Sequence, residues 1–160
     1  MSHLRRCIEL AAEALEAGDL PFGSVLVDAD GRVRAEDRNR ETTTNDPTAH
    51  PEIALARWAA THLTPGERAA ATVYTSGEHC PMCAAAHGWV GLGRIVYASS
   101  SRQAREWKAE WGVPLTSPLS PLTVQEVVPG LEVAGPVAEL DVQVRELLWK
   151  RLRMKQSAAD

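Results

Sequence analysis

His50-Pro51-Glu52 and His79-Cys80-Pro81-Met82-Cys83 are the two stretches whose residue types and spacing carry chemistry. Two cysteines three positions apart put two thiolates on one side of a helical turn. A histidine from elsewhere then supplies a third ligand to a tetrahedral metal. The fourth position is left open to water. The glutamate two residues after the histidine offers that water a proton acceptor, which points to hydrolytic chemistry. Zinc suits such a donor set and lowers the pKa of a bound water to about 7. A helix N-terminus at Cys80 helps keep both sulfurs as thiolates.

Two rival readings fit less well. A redox cysteine pair belongs after the first strand of its sheet, and this one follows half of the chain. A structural four-ligand site needs a further Cys or His at short spacing, and His62, His79 and His87 do not make a usual pair. Cys7 falls on the apolar side of the first helical pattern and reads as a small core residue.

The site residues come from two separate segments, so a sheet and its helices must bring them together. Leu4, Cys7, Ile8, Ala11 and Leu15 lie on one helical face, with Ser2 as N-cap and Gly18 as terminator. Strands at 23–27 and 32–36 flank the turn Asp28-Ala29-Asp30-Gly31. A polar, irregular loop at 39–47 leads to a helix at 51–62, with Thr48 as N-cap and Pro51 at the third helical position. A turn at 63–68, a strand at 72–76, a small-residue helix at 80–92, a strand at 94–99 and a helix at 101–111 follow. Pro114, Pro118 and Pro121 make 113–123 an extended surface loop. Short strands are expected at 124–128 and 131–133. Leu140, Val144, Leu147, Leu148 and Leu152 mark a C-terminal amphipathic helix. The pattern describes one domain over 1–155, a three-layer α/β/α sandwich around a mixed five-stranded sheet, with a flexible tail at 156–160.

At 160 residues and 44% hydrophobic, the chain can bury a core of its own. It carries no apolar run of membrane-spanning length and no signal-peptide pattern at its start, so a soluble, cytoplasmic protein is expected. Net charge is −4, and only Lys108, Lys150 and Lys155 are lysines, which disfavours a polyanionic partner such as nucleic acid. Lys150, Arg151, Arg153 and Lys155 cluster at the end of the last helix, where the helix dipole prefers them.

The spacing His-x-Glu followed by Cys-x-x-Cys resembles the cytidine deaminase-like family of zinc nucleobase deaminases. Within it the chain is most similar to the guanine deaminase branch, through Pro21-Phe22-Gly23, Asn45-Asp46-Pro47-Thr48-Ala49-His50 and Cys80-Pro81-Met82-Cys83. The resemblance implies zinc on His50, Cys80 and Cys83, with Glu52 as proton shuttle. It further implies Asn39 reading a base edge through paired donor and acceptor, and Phe22 and Trp89 lining a flat pocket. Pro51, Gly77 and His79 depart from the family pattern, where Ala, Cys and Pro are usual. His79 puts a titratable group beside the metal, and Glu110 falls where the branch has a late acid that handles a proton. The implied activity is hydrolytic deamination of a free nucleobase or small amino-heterocycle: guanine, cytosine, isoguanine or a triazine. The alternatives are adenosine deamination in tRNA and a non-catalytic zinc-stabilised module. Family likeness, the apolar helix around 84–90, and Trp107, Trp111 and Trp149, which read as exposed, suggest a homodimer.

Overall fold

A computed structural model of the chain describes residues 1–157. Helix α1 (Ser2–Glu16) buries Leu4, Cys7, Ile8, Ala11 and Leu15 along one stripe. It closes in a left-handed turn at Gly18 (φ +87), whose N–H donates to Leu15 while that of Asp19 donates to Ala14. Strands β1 (Gly23–Val27) and β2 (Val33–Arg38) form the antiparallel hairpin, closed by the Asp28 carboxylate accepting from the Asp30 and Arg32 amides. The loop beyond carries a one-turn helix, α2 (Glu41–Thr44), where irregular chain was expected.

Helix α3 (Pro51–His62) leads into α4 (Pro65–Ala70), then β3 (Thr72–Gly77), α5 (Pro81–Val90), β4 (Ile95–Ser99) and α6 (Ser101–Glu110). After the proline-bearing loop come α7 (Val124–Val127), β5 (Val133–Ala134) and α8 (Leu140–Ser157). The strand expected at 124–128 is thus a helix. Thr123 accepts from the Glu126 amide while Glu126 accepts from Thr123, and this reciprocal cap outweighs the β-branched valines. The same pairing of Thr64 with Glu67 turns part of 63–68 into α4. Helix α8 continues through Gln156 and Ser157, so these two residues of the expected tail are helical; 158–160 lie outside the described residues.

The sheet order is β2-β1-β3-β4-β5, antiparallel over the first three strands and parallel from β3 to β5. It is the mixed five-stranded sheet expected. Every residue of β1 is buried because helices cover both faces. Val25 and Val27 meet Cys7 and Leu10 of α1, whereas Leu26 joins Val73, Leu55, Ala56 and Ala59 beneath α3. Leu4, Ile8, Trp107, Leu140, Val144 and Leu148 complete the α1 side. Trp107 is therefore core and Trp111 is half-buried, packing on Trp149 with ring centroids 5.0 Å apart, which corrects the reading of these two as exposed; Trp149 is exposed as expected. A methyl at Gly23 would collide with Leu10 and the Cys7 carbonyl, so glycine lets α1 lie directly on β1. Among the described residues no helix is long and apolar enough to cross a membrane.

Candidate metal centre

Two helices point their N-termini at one spot, and each begins the same way. His50 is the N-cap of α3 with Pro51 at its first position, and Cys80 is the N-cap of α5 with Pro81 at its first position. Proline there costs no hydrogen bond and presets the helical φ. Pro51 accordingly sits two places earlier in the helix than expected. Thr48, expected as the cap, instead bonds Asp46 through both its hydroxyl and its amide.

His50, Cys80 and Cys83 bring one donor atom each within 4.8 Å of one another. The His50 Nδ1 lies 3.6 Å from Cys80 Sγ and 3.4 Å from Cys83 Sγ, and the sulfurs are 3.5 Å apart. With Zn–S near 2.3 Å and Zn–N near 2.05 Å, a tetrahedral ion would need edges of about 3.6 Å for N to S and about 3.8 Å for S to S. The spacing therefore fits the ion. Charge argues the same way. Hydrogen bonds from Cys83 and His50 push the Cys80 thiol down to about 4 against burial. Cys83 is pushed up by its bond to Cys80, by burial and by the Glu52 carboxylate. Cys80, Cys83 and Glu52 crowd acids whose anions repel one another, so Cys83 resists ionising unless a cation lies between them.

Glu52 stands in the first turn of α3 and is only 7% exposed. Its Oε1 accepts from the Ser24 and Thr75 hydroxyls, each at 3.0 Å, and these two are 2.9 Å from each other. Ser24 and Thr75 are directly opposed across β1 and β3, one step along the same face from the apolar pair Leu26 and Val73. Two hydroxyls thus replace an apolar pair where the sheet meets the carboxylate. Glu52 Oε2 is left facing Cys83 Sγ at 3.5 Å. Burial raises the Glu52 pKa, opposed by His50, by its own amide and by Thr75. A raised carboxyl pKa suits a group that takes a proton and returns it.

His79 and His87 are both buried, with ring centroids 5.2 Å apart in an edge-to-face pair. His87 donates from Nε2 to the Gly93 carbonyl, and His79 Nδ1 has no partner among the described residues. Burial, then the His87 neighbour, holds the His79 pKa well below its ordinary value. Its ring lies outside the three-donor cluster.

The remaining candidates are scattered. Asn39 is fully buried, and both ends of its amide meet Glu41: Oδ1 accepts from the backbone N–H and Nδ2 donates to Oε1. Phe22 packs its ring edge against Gly77, where a methyl would come within 2.9 Å of it, so the aromatic occupies the space a larger residue at 77 would need. Trp89 is 89% exposed beside a shallow groove of about 300 Å³ lined by Ala85, Gly88, Val127, Val128 and Pro129. Six residues at 100° each carry it about 120° around α5 from Cys83, away from the donors. Glu110 ends α6 in an exposed ion pair with Arg145 at 2.6 Å and meets none of the donor residues.

The model for the cytidine and deoxycytidylate deaminase zinc-binding region matches residues 1–99, a span that contains His50, Glu52, Cys80 and Cys83. Over 104 residues the chain is 41% identical to guanine deaminase of Bacillus subtilis (strain 168), covering 64% of this chain and 66% of that protein. Over 103 residues it is 41% identical to tRNA-specific adenosine deaminase of Agrobacterium fabrum (strain C58 / ATCC 33970), covering 62% of this chain and 67% of that protein. The matched region is thus about two thirds of each relative's length. A structure solved in studies of A-to-I editing by tRNA:A34 deaminases superposes with a TM-score of 0.64 at 30% identity, covering 92% of this chain and all of that one. With zinc as its metal, the chain belongs to the cytidine and deoxycytidylate deaminase zinc-binding family.

Proposed function

We propose that this chain is a hydrolytic deaminase of a free nucleobase or related small amino-heterocycle, with His50, Cys80 and Cys83 as zinc ligands and Glu52 as proton shuttle. One observation carries the reading: a buried carboxylate lies in contact with the donor cluster, one oxygen anchored and the other turned toward it. A purely structural zinc site has no use for that group. His79, the nearest extra donor in sequence, lies outside the cluster.

Zinc, when bound, supplies a Lewis acid that makes water a nucleophile at neutral pH. Glu52 does the proton work at Oε2. It takes a proton from water as oxygen bonds to the ring carbon and passes it to the adjacent ring nitrogen. It then carries the second water proton to the amino group, and the C–N bond breaks. The products are a ring carbonyl beside an N–H, and ammonia. Ser24 and Thr75 hold Oε1 so that Oε2 keeps its aim through both transfers. Ser24→Ala should lower kcat about tenfold, the worth of one hydrogen bond to a charged group, while KM stays near the parent value. Steady-state kinetics on this variant checks it, and the same measurement on Thr75 should find most activity kept in Thr75→Ser and a similar loss to Ser24→Ala in Thr75→Val.

A small substrate is favoured over RNA by the net charge of −4, which offers phosphates no strong field. The equal identity to a tRNA-specific adenosine deaminase supports the second reading, adenosine deamination in tRNA. Turnover of free bases set beside an anticodon stem-loop separates them. The preferred reading expects base turnover and no RNA binding that weakens with salt; salt-dependent binding with inosine formation supports the other. Zinc held by the thiolates of Cys80 and Cys83 supports a reducing, cytoplasmic setting. Exposed Trp89 beside an apolar groove supports a homodimer joined through α5.

A further inference from the structure

The histidine of the metal centre has two ring nitrogens, and the second one is held by a residue outside the metal motifs. His50 Nδ1 faces the two sulfurs, while Nε2 lies 3.1 Å from Glu41 Oε1. Both side chains are about three quarters buried, at 25% and 22% exposed. Nε2 therefore carries the proton it donates to the carboxylate, which leaves the lone pair on Nδ1.

Glu41 is itself fixed from three directions. Asn39 Nδ2 donates to the same Oε1 at 2.7 Å, and Asn39 Oδ1 accepts from the Glu41 amide at 3.0 Å. The Arg40 amide bonds the Ala49 carbonyl, closing the loop so that Glu41 meets His50 although nine positions separate them. Asp19, fully buried, accepts from the Thr42 and Thr43 amides at 2.8 Å each and from Arg38, capping the one-turn helix that starts at Glu41. The Asn39 amide, the loop closure and the cap thus converge on one hydrogen bond to one metal ligand.

We propose that Glu41 is a positioning residue for the zinc centre, fixing the tautomer and ring orientation of His50 and strengthening it as a ligand. The inference rests on the zinc-site reading above. It gives Asn39 a different task from reading a base edge: its amide orients Glu41. Outer partners of this kind set metal affinity by about 10- to 100-fold.

Zinc dissociation constants measured by competition with a chromophoric chelator test the proposal, together with cobalt spectra and thermal unfolding of the metal-free proteins. Glu41→Ala should bind zinc roughly 10- to 100-fold more weakly. Glu41→Gln, a neutral acceptor of the same shape, should fall between it and the parent. The cobalt d–d bands of both variants should shift, while Glu41→Gln without metal unfolds at the parent temperature. Parent-like zinc affinity in Glu41→Gln and Glu41→Ala overturns the proposal and leaves the zinc site standing. A parent protein that fails to bind zinc overturns both.

Discussion

Glu52→Gln should keep zinc at the parent level and lose deamination by about 10³- to 10⁴-fold, the upper range for a positioned acid and base. The amide preserves the shape of the side chain and its bonds to Ser24 and Thr75, so the fold and metal site have no reason to change. It cannot take a proton from water and return it, and this reaction asks for that twice. The loss should therefore fall on kcat, with KM little altered. Metal analysis and initial rates on the same preparation decide it. Near-parent turnover in Glu52→Gln would remove the residue from the mechanism.

Cys83→Ser should cost the protein its zinc and, with it, all measurable turnover. Cys83 is buried and touches His50, Cys80 and Glu52 at once, so no neighbouring thiol can take its place. The other cysteine of the chain, Cys7, lies with Leu10, Val25 and Val27 on the α1 side of the sheet. Stability should follow the metal. Zinc at a thousand times its Kd adds about 4 kcal/mol by mass action, which for a chain of this size is a shift of roughly 10 °C in Tm. Calorimetry should show that shift when zinc is added to the stripped parent and none in Cys83→Ser. A variant that keeps stoichiometric zinc would mean the ligand set is wrong.

The metal cluster was legible because its information is local. Cys80 and Cys83 share a helical turn, and His50 and Glu52 open one helix, so spacing alone places each pair. The helix periods of α1 and α8 were equally readable, since each buries one apolar stripe. Longer-range partners were not. Ser24 and Thr75 look like ordinary strand residues until the β1–β3 register sets them opposite each other beneath Glu52. Glu41 reaches His50 only because the Arg40–Ala49 bond folds the loop back. The valines at 124 and 127 pointed to a strand, yet the Thr123–Glu126 cap made a helix. The Thr-x-x-Glu spacing was present in the sequence and would have signalled it. Glu110 matches the late acid of the family only by its position along the chain, and the ion pair with Arg145 holds it at the surface.

The decisive measurement is ammonia release from free amino-bases by zinc-loaded protein. Guanine, cytosine, isoguanine and an aminotriazine should be followed by absorbance and by enzymatic ammonia detection, with zinc content measured on the same sample. A zinc-dependent deaminase should carry one zinc per chain and release one ammonia per base consumed for at least one of these substrates, with activity abolished by chelation. A protein carrying one zinc per chain that releases no ammonia from any of them is not a deaminase of free bases.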